Sequence, residues 1–115
     1  MRRGEVWLVD LEPTLGAESN KRRPAVIVSN NGANGTAVRL GRGVLTVVPV
    51  TSNTSRIHPF QVLLSTETTG LTRDSKAQAE QVRSIAVERI QHRLGYLSGP
   101  VLAQLDEALR IHLAL

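Results

Sequence analysis

Cysteine is absent from the chain, so neither a disulfide framework nor a thiolate metal site can be built from it. Aromatic residues are nearly as scarce. Trp7, Phe60 and Tyr96 are the whole set, and stacking platforms for single-stranded nucleic acid usually need at least two exposed rings. Trp7 and Phe60 lie in apolar runs and are expected in the core, so hydrogen bonds to base edges and contacts to phosphates would carry recognition instead. The longest purely apolar stretch is about four residues, Ala25–Val28, far short of a membrane span. Met1-Arg2-Arg3-Gly4-Glu5 leads into alternating residues rather than a secretory apolar region. A cytoplasmic protein with no membrane association is the expectation. The sequence also lacks a Gly-x-x-x-x-Gly-Lys loop, a dinucleotide fingerprint and His-Glu-x-x-His. Its three histidines, His58, His92 and His112, sit in separate segments, which argues against a histidine metal site. No cofactor is expected.

What the chain does have is arginine. Fourteen Lys and Arg stand against ten Asp and Glu, and twelve of the fourteen cations are arginine. A guanidinium is planar, always charged and offers five donors in a fork that fits phosphate oxygens. The stretch from Ser98 onward carries Asp106, Glu107 and Arg110, so the basic excess lies in the first 97 residues. With 115 residues, the chain has the size of one domain, 1–115, and a modest core.

Gly4–Asp10 alternates around Val6 and Leu8 on one side and Trp7 and Val9 on the other, and reads as a strand. Leu11–Arg23, with Pro13 and Gly16, reads as a long loop; Ala25–Ser29 follows Pro24 as a second strand. Asn30–Gly35 is dense in residues that tolerate positive φ and reads as a turn. Gly41 and Gly43 break the chain before Val44–Val50, which is rich in β-branched residues. Phe60–Leu64 is a further strand, Thr66–Arg73 a loop closed by Gly70, and Ala77–Val87 an irregular strand segment. Ser98 is a candidate N-cap, with Pro100 in the first turn of a terminal helix. Leu102, Leu105, Leu109 and Leu113 form its stripe, with His112 beside them at the core edge. Five or six strands, some apolar on both faces, imply a closed or strongly curled sheet: a small β-barrel with a C-terminal helix.

The polar residues concentrate at two places. Glu18-Ser-Asn-Lys21-Arg22-Arg23-Pro24 precedes one strand, and Thr51-Ser52-Asn53 follows another. Cations and short polar donors at the rim of a small β core suit a polyanion gripped at its phosphates, RNA or DNA. Cleavage of RNA by its own 2′-hydroxyl needs a base there, a proton for the leaving 5′-oxygen, and stabilisation of the charge between. Glu18 is a candidate base, Arg23 a candidate stabiliser and Thr51 a candidate orienting hydroxyl. Arginine is too weakly acidic to act as base. The ordinary readings are a loop carboxylate paired with Lys21 and Arg22, a solvated strand-edge cation, and a turn hydroxyl.

These segments resemble a known family. Gly16-Ala-Glu18, Lys21–Ser29, Val48–Asn53, Pro59-Phe60, Glu80–Ile85 and the opening Arg3–Asp10 are similar, in order, to the MazF/PemK (Kid-type) toxins of type II toxin–antitoxin systems. The resemblance runs from residue 3 to 113. It implies an α+β, mainly β protein: an SH3-like curled antiparallel barrel with a C-terminal helix, as in CcdB and PemK. It also implies a homodimer and a metal-independent, sequence-specific endoribonuclease that leaves 2′,3′-cyclic phosphate and 5′-hydroxyl ends on single-stranded RNA. A cognate MazE-like antitoxin with an acidic C-terminal tail would be its partner. Arg23 and Thr51 match the family's catalytic positions, and Glu18 its acidic loop position. Lys21, Arg22, Ser52, Asn53, Ser75, Gln81 and Arg83 are the expected RNA contacts, with Ser75 and Gln81 the ones expected at base edges. Arg22, directly before the family arginine, leaves one role with two candidates, and the Gly-rich loop Asn31–Arg42 is particular to this chain. Two other functions stay open on the sequence: a CcdB-like gyrase poison, whose helix ends in aromatics that this terminus lacks, and a basic nucleic-acid-binding module without catalysis.

Overall fold

The computed structural model describes residues 1–11 and 22–115, so Glu18, Lys21 and most of the expected loop Leu11–Arg23 lie outside the described residues. The elements run β1 (Glu5–Asp10), β2 (Arg22–Ile27), α1 (Asn31–Leu40), β3 (Val44–Thr51), β4 (Gln61–Leu64), β5 (Ser75–Gln78), β6 (Arg83–Ala86), β7 (Ile90–Tyr96) and α2 (Gly99–Leu113). The seven strands form one sheet in the order β4-β5-β3-β2-β1-β7, with β6 added to β3, and every pair is antiparallel. The sheet is curled but does not close into the barrel expected, since β4 and β7 end the path without pairing to each other.

β3 accounts for the curl. One edge pairs with β2 over Val47–Pro49; the other takes β6 over Val44–Val47 and β5 over Val50–Thr51. Pro49, which has no N–H to give, stands where that second edge changes partner. Pro24 lies within β2 rather than before it, and it is tolerated because the β3 ladder reaches only Ala25. Alternation divides the sheet's buried residues in two. Val26, Val48 and Val50 join Leu105, Ala108 and Leu109 of α2 in one core; Ala25, Ile27 and Val47 join Val9, Leu45 and Ile85 in the other.

Four expectations are corrected. Asn31–Leu40 is a helix, not a Gly-rich loop. Asn30 caps it by accepting from the Ala33 N–H at 2.8 Å, and Gly41 ends it at φ 67°. Asn34 anchors it: fully buried, it donates to the Ser29 carbonyl and bonds the Ser29 hydroxyl, which accepts from Thr46 N–H at 3.1 Å. Ala77–Val87 resolves into β5, a 3-10 turn at Ala79–Gln81, β6 and a second 3-10 turn. β7 was not foreseen, because an edge strand with Gln91, His92 and Arg93 exposed shows no apolar alternation. His112 and Leu113 are exposed, so the leucine stripe of α2 ends at Leu109.

The aromatic expectation is also revised. Trp7 is half-buried against the second core, and its indole N–H donates to Glu5 Oε1 at 2.9 Å. Phe60 precedes β4 and stacks on the His58 ring at 5.1 Å between centroids, outside both cores. Among the described residues, no helix is long and apolar enough to cross a membrane.

Candidate active site

Arg22 and Arg23 belong to a strand, not to the loop expected from sequence, and this decides what each can do. Consecutive strand residues point to opposite faces. In the β1–β2 register Arg22 stands across from Asp10 and Arg23 across from Val9. Arg22 therefore has a carboxylate as its cross-strand neighbour, a pairing that favours both charges. Arg23 faces an aliphatic residue there. On its other side, β2 pairs with β3 through Ala25 and Pro49. The ladder stops there, and Arg23 lies on the same face of β2 as Ala25 and Ile27, away from α2. The two candidates for the family arginine's role are thus distinguished by the pleat of β2.

The strand ends enclose a cleft of about 440 Å³. β2 contributes Arg22, Arg23 and Pro24; the end of β3 contributes Val50, Thr51 and Ser52; the segment entering β5 contributes Leu71, Thr72, Arg73 and Ser75. Because β3 lies between β2 and β5, the two arginines of β2 and Arg73 flank Thr51 from either side. Both β2 arginines, Ser52 and Arg73 are exposed, and Thr51 is half-buried. Three arginines and short hydroxyl side chains lining one cleft have the chemistry to bind an anion, since each guanidinium can hold phosphate oxygens through two donors.

Local hydrogen bonds shape the rim. Thr51 Oγ1 accepts from the Asn53 N–H at 3.3 Å, leaving its hydroxyl proton to give. The Asn53 side-chain oxygen accepts from the Ser55 N–H at 3.2 Å and from its hydroxyl at 2.9 Å, so Asn53 organises the turn beyond Thr51. Lys76, in register with Thr51, is buried, and its ammonium donates to the Arg56 carbonyl at 2.7 Å. That lysine holds the β3–β4 loop.

Of the RNA contacts expected from sequence, Arg22, Ser52 and Ser75 line the cleft with Arg23 and Thr51. Ser75 is buried and its hydroxyl donates to the Arg73 carbonyl at 3.0 Å, so it supports the wall rather than presenting a donor to a base. Asn53, Gln81 and Arg83 are exposed but are not among the lining residues. Gln81 ends the 3-10 turn, and Arg83 opens β6 across from Val47. Thr72 and Arg73 were missed. Gly70 marked a turn in the sequence, but only the pairing of β5 with the end of β3 reveals that the residues after it reach Thr51. Among the described residues, no three His, Asp or Glu side chains cluster as metal ligands.

Comparison with known proteins agrees with the geometry. The family model described as PemK-like, MazF-like toxin of type II toxin-antitoxin system matches residues 2–113. A curated protein from Mycobacterium tuberculosis (strain ATCC 25618 / H37Rv), endoribonuclease MazF9, is 65% identical over 115 residues, covering 100% of this chain and 98% of its own. Among solved structures, a MazE-MazF complex from Deinococcus radiodurans superposes with TM-score 0.77 at 26% identity, over 100% of this chain and 97% of that one. An endoribonuclease in complex with its cognate antitoxin from a mycobacterial species superposes with TM-score 0.76 at 23% identity, over 100% of this chain and 96% of that one, a likeness of fold. On the family match and the full-length identity, the chain belongs to the PemK-like, MazF-like toxins of type II toxin–antitoxin systems.

Proposed function

We propose that this endoribonuclease toxin cuts single-stranded RNA at short sequence motifs in the cleft between β2 and the β5 entry, without a metal ion, and that residues 1–115 act as one toxin domain. The observation that carries the reading is that Arg23 and Thr51, at the ends of neighbouring strands, line one cleft together with Arg22 and Arg73. The 2′-oxygen attacks the adjacent phosphorus, and the bond from phosphorus to the 5′-oxygen breaks. The proton leaving the 2′-hydroxyl goes to a base, and another reaches the departing 5′-oxygen. The products are a 2′,3′-cyclic phosphate and a 5′-hydroxyl. Arg23 stabilises the charge that builds on the equatorial oxygens, where positioned donors count most. Thr51 orients the phosphate through its hydroxyl. Glu18 is assigned the base role from its match to the family's acidic position and because a carboxylate, unlike arginine, has a usable pKa.

A toxin of this kind works in the cytoplasm as a homodimer and is silenced by a cognate MazE-like antitoxin. A carboxylate-rich antitoxin tail would compete with RNA for the same three guanidiniums by folding into the cleft. The experiment is cleavage of naked RNA in EDTA followed by direct kinase labelling of the new 5′-ends. Cutting that survives chelation and yields labelled 5′-hydroxyls is expected. Activity that disappears on chelation and returns with magnesium overturns the mechanism.

A further inference from the structure

The wall of the cleft that carries Arg73 is fastened to the far edge of the sheet by a close main-chain contact. Between β4 and β5 the chain turns at Thr68, with φ 62°, and at Gly70, with φ 74°. The turn lies directly on β7. A Cβ on Gly70 would fall 2.0 Å from the Leu94 carbonyl oxygen, and one on Gly95 would fall 2.1 Å from the Thr68 carbonyl oxygen. Neither distance can be relieved by a side-chain rotation, because the atoms met are main-chain atoms. Two hydrogen bonds lock the contact: Tyr96 N–H donates to the Thr68 carbonyl, and the Thr68 hydroxyl donates to the Tyr96 carbonyl, both at 2.8 Å. Inside the turn, buried Thr69 donates to the Ser65 carbonyl at 2.7 Å and accepts from Leu71 N–H at 3.3 Å.

Directly after this lock the chain delivers Leu71, Thr72 and Arg73 to the cleft. Leu71 packs on the α2 core, and the Ser75 hydroxyl holds the Arg73 carbonyl. The wall is therefore fixed on both sides of Arg73. A mutual glycine contact costs conformational entropy and removes two side chains from packing, a poor way to stabilise a surface loop for its own sake. It does let a turn approach a strand more closely than any side-chain layer permits.

We infer that Gly70 and Gly95 are positioning residues for RNA cleavage: their contact sets the height of the wall from which Arg73 grips a phosphate on the side of Thr51 opposite the β2 arginines. This rests on the cleavage reading above. Lifting the turn off β7 would carry Arg73 away from Thr51 without touching Arg23.

The test is a double-variant cycle with Gly95→Ala and Arg73→Ala, read by steady-state cleavage and by binding of a 2′-deoxy single strand of the same sequence, which cannot be cut. Arg73→Ala is expected to raise KM about 5- to 10-fold with kcat within about 3-fold, and to lower the log–log salt slope of binding by about 0.7, one phosphate contact on a single strand. Gly95→Ala should reproduce both changes while melting cooperatively. In the Arg73→Ala background it should change KM by no more than about 2-fold, because the lock acts through Arg73. Arg73→Lys should recover the salt slope. An unaltered KM and slope in folded Gly95→Ala, or effects that multiply in the double variant, overturns the inference. If Gly95→Ala does not fold, Thr68→Val removes one lock hydrogen bond without a clash. A KM rise of about 2-fold that vanishes beside Arg73→Ala supports the inference, and no rise overturns it. Wild-type protein that binds the 2′-deoxy strand with the expected slopes yet cuts no RNA would sink the cleavage reading and leave the role of the lock in binding standing.

Discussion

Arg22 and Arg23 are adjacent in sequence, yet their removal should damage different kinetic constants. Arg23 lines the cleft with Thr51 and faces an aliphatic neighbour across β1, so its charge serves whatever forms beside that hydroxyl. Removing one positioned donor to a developing oxyanion costs roughly 10²–10³ in kcat, or about 2.7–4 kcal/mol of barrier at 1.36 kcal/mol per tenfold. Arg22 lies in register with Asp10, which offsets part of its charge, and it leaves β2 on the other face. Its loss should remove one ground-state phosphate contact. For Arg22→Ala the expectation is a KM rise of several-fold, a kcat within about 3-fold of wild type, and a salt slope lower by about 0.7. Initial rates on a fluorescent single-stranded RNA across a range of concentrations, in EDTA, separate the two constants. The reasoning fails if Arg22→Ala lowers kcat as far as Arg23→Ala, or if Arg23→Ala changes KM alone.

Other consequences concern the scaffold. Leu105 is fully buried beneath the sheet, so Leu105→Ala should destabilise by about 2–5 kcal/mol, read as a lower urea midpoint at constant m-value; a shift below about 1 kcal/mol would contradict the α2 packing. Asn34→Ala leaves the Ser29 carbonyl without its amide donor and should cost about 1–3 kcal/mol, while the KM of the folded enzyme, whose cleft is elsewhere, stays unchanged. Glu5 supplies a pH term. Burial by itself pushes its carboxyl up, but the Arg2 N–H, the Trp7 indole N–H, Arg93 and the N-terminal charge together hold it below the ordinary range. A carboxyl depressed on folding contributes stability that is complete above its unfolded pKa and is lost as pH falls through the lower folded value. Glu5→Gln should therefore flatten the acid limb of a stability-against-pH curve, and an identical acid limb in the variant would refute this.

The strands with two apolar faces were legible because their neighbours lie on both sides: β3 is rich in valine since β2, β5 and β6 all meet it. β7 was illegible for the opposite reason, having one strand partner and three consecutive exposed residues, Gln91–Arg93. α1 was misread because asparagine and glycine mark turns and helix ends alike. Asn30 and Gly41 are in fact its two caps, and the buried bonds of Asn34 to Ser29, which local sequence does not reveal, stabilise what lies between. At the site, Arg23 and Thr51 could be named from residue type and from likeness to a family. Arg73 could not, since more than twenty residues separate it from Thr51, and only the β3–β5 register brings the two segments together.

That register also explains why a chain this small can keep a charged cleft open. The α2 core and the second core lie on opposite faces of the sheet and meet along β2 and β3. Both strands change character at their ends: β2 loses its β3 partner before Pro24, and β3 gives up pairing after Thr51. Backbone groups freed there need no further ladder, since the strand ends are exposed to water. The side chains at those positions are therefore released from core packing and can be chosen for charge. Cations placed at Val47–Val50 of β3 would have to be buried, where an unpaired charge is prohibitively unfavourable. The cleft sits where burial ends on two adjacent strands, and a third segment, pinned to β7 by the two glycines, closes it from the other side.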